Sequence, residues 1–205
     1  NEFTDYPFKE DLEIQLIRAD LLMYPIRYRN KWGYTDESGA YTIPIVYDGA
    51  QPFHEGLAII LKDEKYGFID KTGSIIIEPI FEDAYRMSEG HAVVQYGDLW
   101  GMINWSGEFI VDPVYEDVGN LTEGLAYFTK GDTYGYFDRK GKVRLKAQYT
   151  DANDFENGKA IVSKNGQFGL IDAFGTTSIP FKYDRLMQYD SIRYLAKLGG
   201  LWGLI

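Results

Sequence analysis

Hydrophobic residues fall in short runs, such as Leu57-Ala58-Ile59-Ile60-Leu61 and Ala92-Val93-Val94, separated by polar stretches that carry glycine. Runs of this length bounded by turn residues read as strands, not helices. Several are apolar at consecutive positions, so both faces of the sheet they build need cover. In one stretch the pattern predicts strands at Ala84–Met87, His91–Tyr96, Trp100–Asn104 and Phe109–Asp112. Ser88-Glu89-Gly90 and Asn104-Trp105-Ser106-Gly107 lie between them, with glycine placed where a hairpin needs positive φ and Asn placed to bond its own backbone. Four antiparallel strands per unit follow.

The unit recurs. An aromatic-Gly pair stands at Trp32-Gly33, Tyr66-Gly67, Trp100-Gly101, Tyr134-Gly135, Phe168-Gly169 and Trp202-Gly203, always 34 residues apart. Asp36, Asp70, Asn104, Asp138 and Asp172 each precede a glycine by three residues. An apolar run then closes at Pro44, Pro79, Pro113 or Pro180 and is followed by Tyr47, Phe81, Tyr115, Tyr149 or Tyr183. A second glycine, at Gly56, Gly90, Gly124 and Gly158, precedes an alanine by two.

These motifs resemble the WG-repeat family of bacterial proteins, whose units read F-x-E-G-x-A, then W-G-x-I-D, then G and an apolar run to I-P and Y-D. Only three of the six aromatic-Gly pairs keep the Trp. The resemblance implies a repeat scaffold with an interaction role and no shared catalytic activity.

Small sheets covered by their neighbours form either an open β-solenoid or a ring of blades. Tyr6-Pro7-Phe8-Lys9-Glu10-Asp11 repeats Ile179-Pro180-Phe181-Lys182-Tyr183-Asp184, and the 205 residues exceed six periods of 34 by one. The expectation is therefore a single all-β domain over residues 1–205, a six-bladed β-propeller closed by pairing of the strand at Phe3–Phe8 with the Trp202 strand. The alternative is the open solenoid. Blades of 34 residues are shorter than the common ~40 and require very short strands.

Composition narrows function without naming it. The 17 Tyr, 12 Phe, 4 Trp and 22 Gly suit aromatic strands with glycine turns. A net charge of −10 argues against nucleic acid, which needs a basic face. Cysteine is absent, which excludes disulfides and thiolate chemistry and leaves the compartment open between the cytoplasm and the exported or envelope space. No apolar run approaches a spanning helix, so membrane insertion is not expected, and a monomer is.

The repeated aromatics read as wedges between units, with glycine admitting close backbone. Asp48, Glu82, Asp83, Glu116, Asp117, Asp151 and Asp184 fall in the linkers between units, where a short acid caps a turn. His54 and His91 lack a third metal ligand, and neither a nucleophile elbow nor a phosphate loop occurs. Catalytic, cofactor and metal residues are accordingly not expected, and an enzyme with a site in a central channel is the third reading. Departures from the repeat are the better candidates for partner contact. Trp105 and Phe174 are aromatics at turn positions, and five of eight arginines, Arg18, Arg27, Arg29, Arg185 and Arg193, lie in the divergent stretches Leu12–Lys31 and Arg185–Leu198, where a closed ring would gather them into one basic patch. The leading function is a non-enzymatic scaffold for a protein partner, with a lectin-like or cell-envelope glycan binder as the rival.

Overall fold

The computed structural model describes residues 22–205. Six antiparallel sheets follow one another along the chain. The first holds β1 (Met23–Tyr28), β2 (Lys31–Asp36) and β3 (Tyr41–Tyr47); the second β4 (Gly49–Ala50), β5 (Leu57–Lys62), β6 (Lys65–Asp70) and β7 (Ile75–Phe81). The third holds β8 (Asp83–Ala84), β9 (His91–Tyr96), β10 (Leu99–Asn104) and β11 (Phe109–Tyr115); the fourth β12 (Leu125–Lys130), β13 (Thr133–Asp138) and β14 (Val143–Tyr149). The fifth holds β15 (Asp151–Ala152), β16 (Lys159–Lys164), β17 (Gln167–Asp172) and β18 (Thr177–Tyr183); the sixth β19 (Arg185–Gln188), β20 (Tyr194–Leu198) and β21 (Leu201–Leu204). In the fourth sheet an isolated bridge from Val118 to Phe128 stands in for the short first strand.

The strands expected in the third unit are present with two corrections. The first is only Asp83–Ala84, because the chain then turns inward and buries Met87, and the fourth runs on past Asp112 to Tyr115. Each D-x-x-G turn is organised by one side-chain oxygen. Asp36 Oδ1 accepts the N–H groups of Ser38 and Ala40, and Asp70, Asn104, Asp138 and Asp172 repeat the arrangement.

The glycine of the aromatic-Gly pair has a steric cause. The outer strand is bulged opposite it, and a Cβ on Gly101 would lie 2.5 Å from the Val111 carbonyl oxygen. Gly33, Gly67, Gly135 and Gly169 meet the outer strand of their own sheets at 2.6 to 2.8 Å.

Each pair of successive sheets shares a buried core, which gives both faces of the middle sheets the cover that their apolar runs demand. Leu57, Ile59 and Phe68 face Ala84, Met87 and Ala92, for example, whereas Ala58, Ile60 and Ile69 face Tyr34 and Ile43. Tyr34, Phe68, Met102, Tyr136 and Leu170 occupy one repeat position and are at most 1% exposed, but Leu204, their counterpart in the sixth sheet, is 49% exposed. The expected pairing of Phe3–Phe8 with the Trp202 strand lies outside the described residues. Among those described, β21 pairs with β20 alone, and a Cβ on Gly203 would meet nothing within 4 Å.

Candidate interaction surface

Two ends of the sheets differ in chemistry. At the linker end the recurrent acids cap neighbouring hairpins: Asp48, Glu82 and Asp184 accept the N–H groups of Asp63, Gly97 and Gly199. Asp48 also takes Lys31 at 2.6 Å, and Glu82 takes Lys65. These carboxylates are thereby used in turn geometry.

At the D-x-x-G end a ladder of glutamates joins successive units. Glu55 accepts the N–H groups of Glu89 and Gly90 at 2.8 Å, Glu89 accepts Gly124 N–H at 3.0 Å, and Glu123 accepts Gly158 N–H at 2.7 Å. Each of these glutamates has positive φ, which places its side chain on the next unit's turn. The sequence carried a signal for this, a Glu before the second glycine in three units, that periodicity alone did not interpret.

Trp105 lies across two of these turns, its indole 3.3 Å from where a Cβ would stand on Gly56 and on Gly90. One side of the indole is therefore packing, and the side chain remains partly exposed. Phe174 gives its N–H to Asp172 and is 81% exposed.

Arg18 lies outside the described residues. Arg185 and Arg193 stand at opposite ends of the β19–β20 hairpin, so Arg193 is separated from Arg185, while Arg27 and Arg29 lie at the β1–β2 turn. Each guanidinium takes an aromatic ring close at hand: Arg27 over Trp32, Arg29 over Tyr28, Arg185 over Phe168 and Arg193 over Tyr189. Arg193 is also fastened to Asp190, whose carboxyl its hydrogen bonds help hold down to about 2.

The sixth sheet departs from the repeat at one more place, which spacing did not single out. In the earlier junctions a plug residue, Phe53, Met87, Leu121 or Phe155, turns inward against the preceding sheet. Phe53 packs tilted against Tyr34 and Phe155 packs edge-to-face against Tyr136, with ring centroids 4.9 and 5.0 Å apart. The sixth-sheet counterpart is Tyr189, which is 58% exposed. Its strand explains why. The second, third and fifth sheets begin with two-residue strands, whereas β19 stays in register through Gln188↔Tyr194 and carries Tyr189 past the junction into the turn. Asp190 then caps the N–H groups of Ile192 and Arg193. This replaces the glycine turn by an Asx turn that displays Ile192 at 80% exposure.

A cavity of about 280 Å³ lies between the fifth and sixth sheets, with Ile161, Leu170, Leu186 and Met187 as apolar lining and Asp154, Glu156, Lys159 and Gln188 as polar lining. A recess of about 380 Å³ adjoins it, sharing Asn153, Ile161, Leu186 and Met187 and extending to Asp151, Phe168, Arg185 and Trp202. Burial raises the Asp154 carboxyl above the usual range, the Asp117 charge adds to this, and the Asn120 amide opposes it. Asp154 Oδ1 is buried and accepts no hydrogen bond from the described residues. A recess of about 660 Å³ between the third and fourth sheets contains Glu116, Lys130 and Lys146, among which the structure shows no ion pair. Among the described residues no group of three or more His, Cys, Asp or Glu is placed to hold a metal ion, and no helix is long and apolar enough to cross a membrane.

Comparison with solved structures places the fold among β-propellers. A crystal structure of the eukaryotic initiation factor superposes with a TM-score of 0.58 at 12% identity, over 90% of this chain and 60% of that one. Hsv2 of Kluyveromyces lactis gives 0.51 at 8% identity, over 87% and 68%. No curated protein matches the chain in sequence. The model of the WG containing repeat matches residues 32–66, 66–100, 100–134, 134–167 and 168–202. Five consecutive matches in the phase of the aromatic-Gly pairs cover most of the protein, and the chain belongs to the family of WG-repeat proteins.

Proposed function

We propose that the protein is a non-enzymatic interaction scaffold that holds a protein partner at the D-x-x-G end of its fifth and sixth sheets. The observation that carries this reading is the reversal of burial in the sixth unit: Tyr189 is turned out where other units bury a plug, and Ile192 is exposed where they have glycine. Phe174 is displayed at the same end of the neighbouring sheet. Apolar side chains held outward by a capped turn are suited to burial against another protein, because their ordering cost is met before binding. Most prominent carboxylates cap turns or link units, which favours a scaffold over acid-base chemistry.

A Tyr189→Ser/Ile192→Ser variant should lose capture of the native partner by cross-linking in lysate while keeping its melting temperature. Undiminished capture would contradict the reading. A glycan is the second reading, supported by the recess in which Trp202 and Phe168 stand beside Asp151, Asn153 and Arg185. Binding on a glycan array that Trp202→Ala abolishes would favour it.

A further inference from the structure

The cavity between the fifth and sixth sheets has the lining of a plug site without its plug. Lys159, Ile161, Leu170 and Leu186 each stand 34 residues after Leu125, Tyr127, Tyr136 and Ala152, which belong to or pack against the core that holds Phe155 in the preceding junction. At that junction Phe155 fills the space and the Tyr136 hydroxyl closes it by donating to the Asn153 carbonyl at 2.7 Å. At the last junction both features are missing, because Leu170 has no hydroxyl to offer Met187 and Tyr189 is held outside by the regular pairing of β19. The apolar wall of Ile161, Leu170, Leu186 and Met187 therefore lacks the dispersion contacts that a plug side chain would make with it.

We infer that this cavity is an anchor site for an aromatic side chain of a partner protein, presented beside a basic residue. The inference rests on the proposed protein-binding role and adds the chemistry of the contact. The aromatic preference follows from the homologous space, which Phe53 and Phe155 fill in two other junctions. The basic flank follows from charge: Asp154 and Glu156 line the cavity against a single Lys159, in a chain of net charge −10. Central, desolvated aromatic anchors with a polar rim are the usual carriers of interface energy.

The test is methyl NMR of the full chain titrated with phenylalaninamide, which has a ring and an ammonium group, and with N-acetylphenylalanine, which has the ring and a carboxylate. Phenylalaninamide should shift the methyl signals of Ile161, Leu170 and Leu186, and the anionic analogue should bind about tenfold more weakly. Two variants supply a plug of their own. One replaces residues 188–193 by the sequence of residues 154–159; the other is Leu170→Phe, which fills the cavity from its wall and leaves the loop untouched. Each should weaken phenylalaninamide binding by more than about tenfold. Silent methyl signals, or equal shifts in the folded plugged variants, would overturn the inference. Contacts from these methyls to residues 1–21 in the free chain, or a dimer abolished by either variant, would assign the cavity to the chain's own segment or to a second copy and overturn it equally. The two readings fail separately. Probe binding with capture untouched in Tyr189→Ser/Ile192→Ser keeps the cavity and removes the rim, whereas a silent cavity with lost capture removes the cavity alone.

Discussion

Tyr136 donates its hydroxyl to the Asn153 carbonyl at 2.7 Å, a side chain of the fourth sheet satisfying the backbone of the fifth. Tyr34 and Gln51 repeat the bond at 2.8 Å between the first and second sheets. Tyr136 is fully buried, so its hydroxyl has no water to turn to. Tyr136→Phe should lower stability by about 1–2 kcal/mol, measured by urea unfolding. An unchanged midpoint would mean that the junction repacks around the missing bond.

Glu89 couples three units at once, accepting from Gly124 and pairing with Arg139 while its own N–H binds Glu55. Glu89→Ala should cost about 1–2 kcal/mol and raise the amide exchange rate of Gly124. Exchange at Gly124 equal to that of the parent would deny the ladder a role in holding the turns.

The glycines of the aromatic-Gly pairs separate packing from habit. Gly101→Ala should destabilise by about 1–3 kcal/mol, since its Cβ would press on the Val111 carbonyl. Gly203 meets nothing among the described residues, but the repetition of residues 179–184 in residues 6–11 predicts an outer strand against it. On that expectation Gly203→Ala costs as much as Gly101→Ala, and deleting Asn1–Phe8 lowers the melting temperature and promotes aggregation through the open edge of β21. A neutral Gly203→Ala would leave that edge unpaired.

Burial holds the Asp154 carboxyl above the usual range, with the Asp117 charge adding to it. The folded chain then binds this proton more tightly than the unfolded chain, so the contribution to stability is present at low pH and lost as pH rises through the raised value. Asp154→Asn should therefore raise the melting temperature at pH 7, and the advantage should vanish below about pH 4, the ordinary carboxylate value. Asp190 works in the opposite sense. Held down to about 2 by Arg193, it stabilises above the ordinary value and loses that effect as pH falls toward 2. A difference between Asp154→Asn and the parent that stays constant with pH would contradict this assignment.

Much of the fold was legible because turn chemistry and sterics are repeated in phase. The Asp36-type turns, the aromatic-Gly pairs and the antiparallel strands all stand where spacing put them. Spacing failed where a residue's direction depends on strand register. Nothing in the sequence near Tyr189 announces that β19 keeps its pairing for four residues and carries the plug outside, nor that Met87 shortens the strand before it. Arg193 shows the same dependence on register. Ring closure was expected to gather it with Arg185, but the β19–β20 hairpin puts the two at its opposite ends, and nearby rings take both guanidinium groups. Trp105 was legible as a departure, yet its seat across Gly56 and Gly90 is a contact between units that one unit's sequence does not contain.

If partner contact lies where the sixth unit departs from the repeat, hydrogen–deuterium exchange of the chain alone and with its captured partner will mark it without mutation. Protection is expected in the β19–β20 turn, residues 188–194, and in the Asp172–Thr176 turn that carries Phe174, with the linker-end hairpins unchanged. Protection confined to the linker end, or to the turns under Trp105, would contradict it.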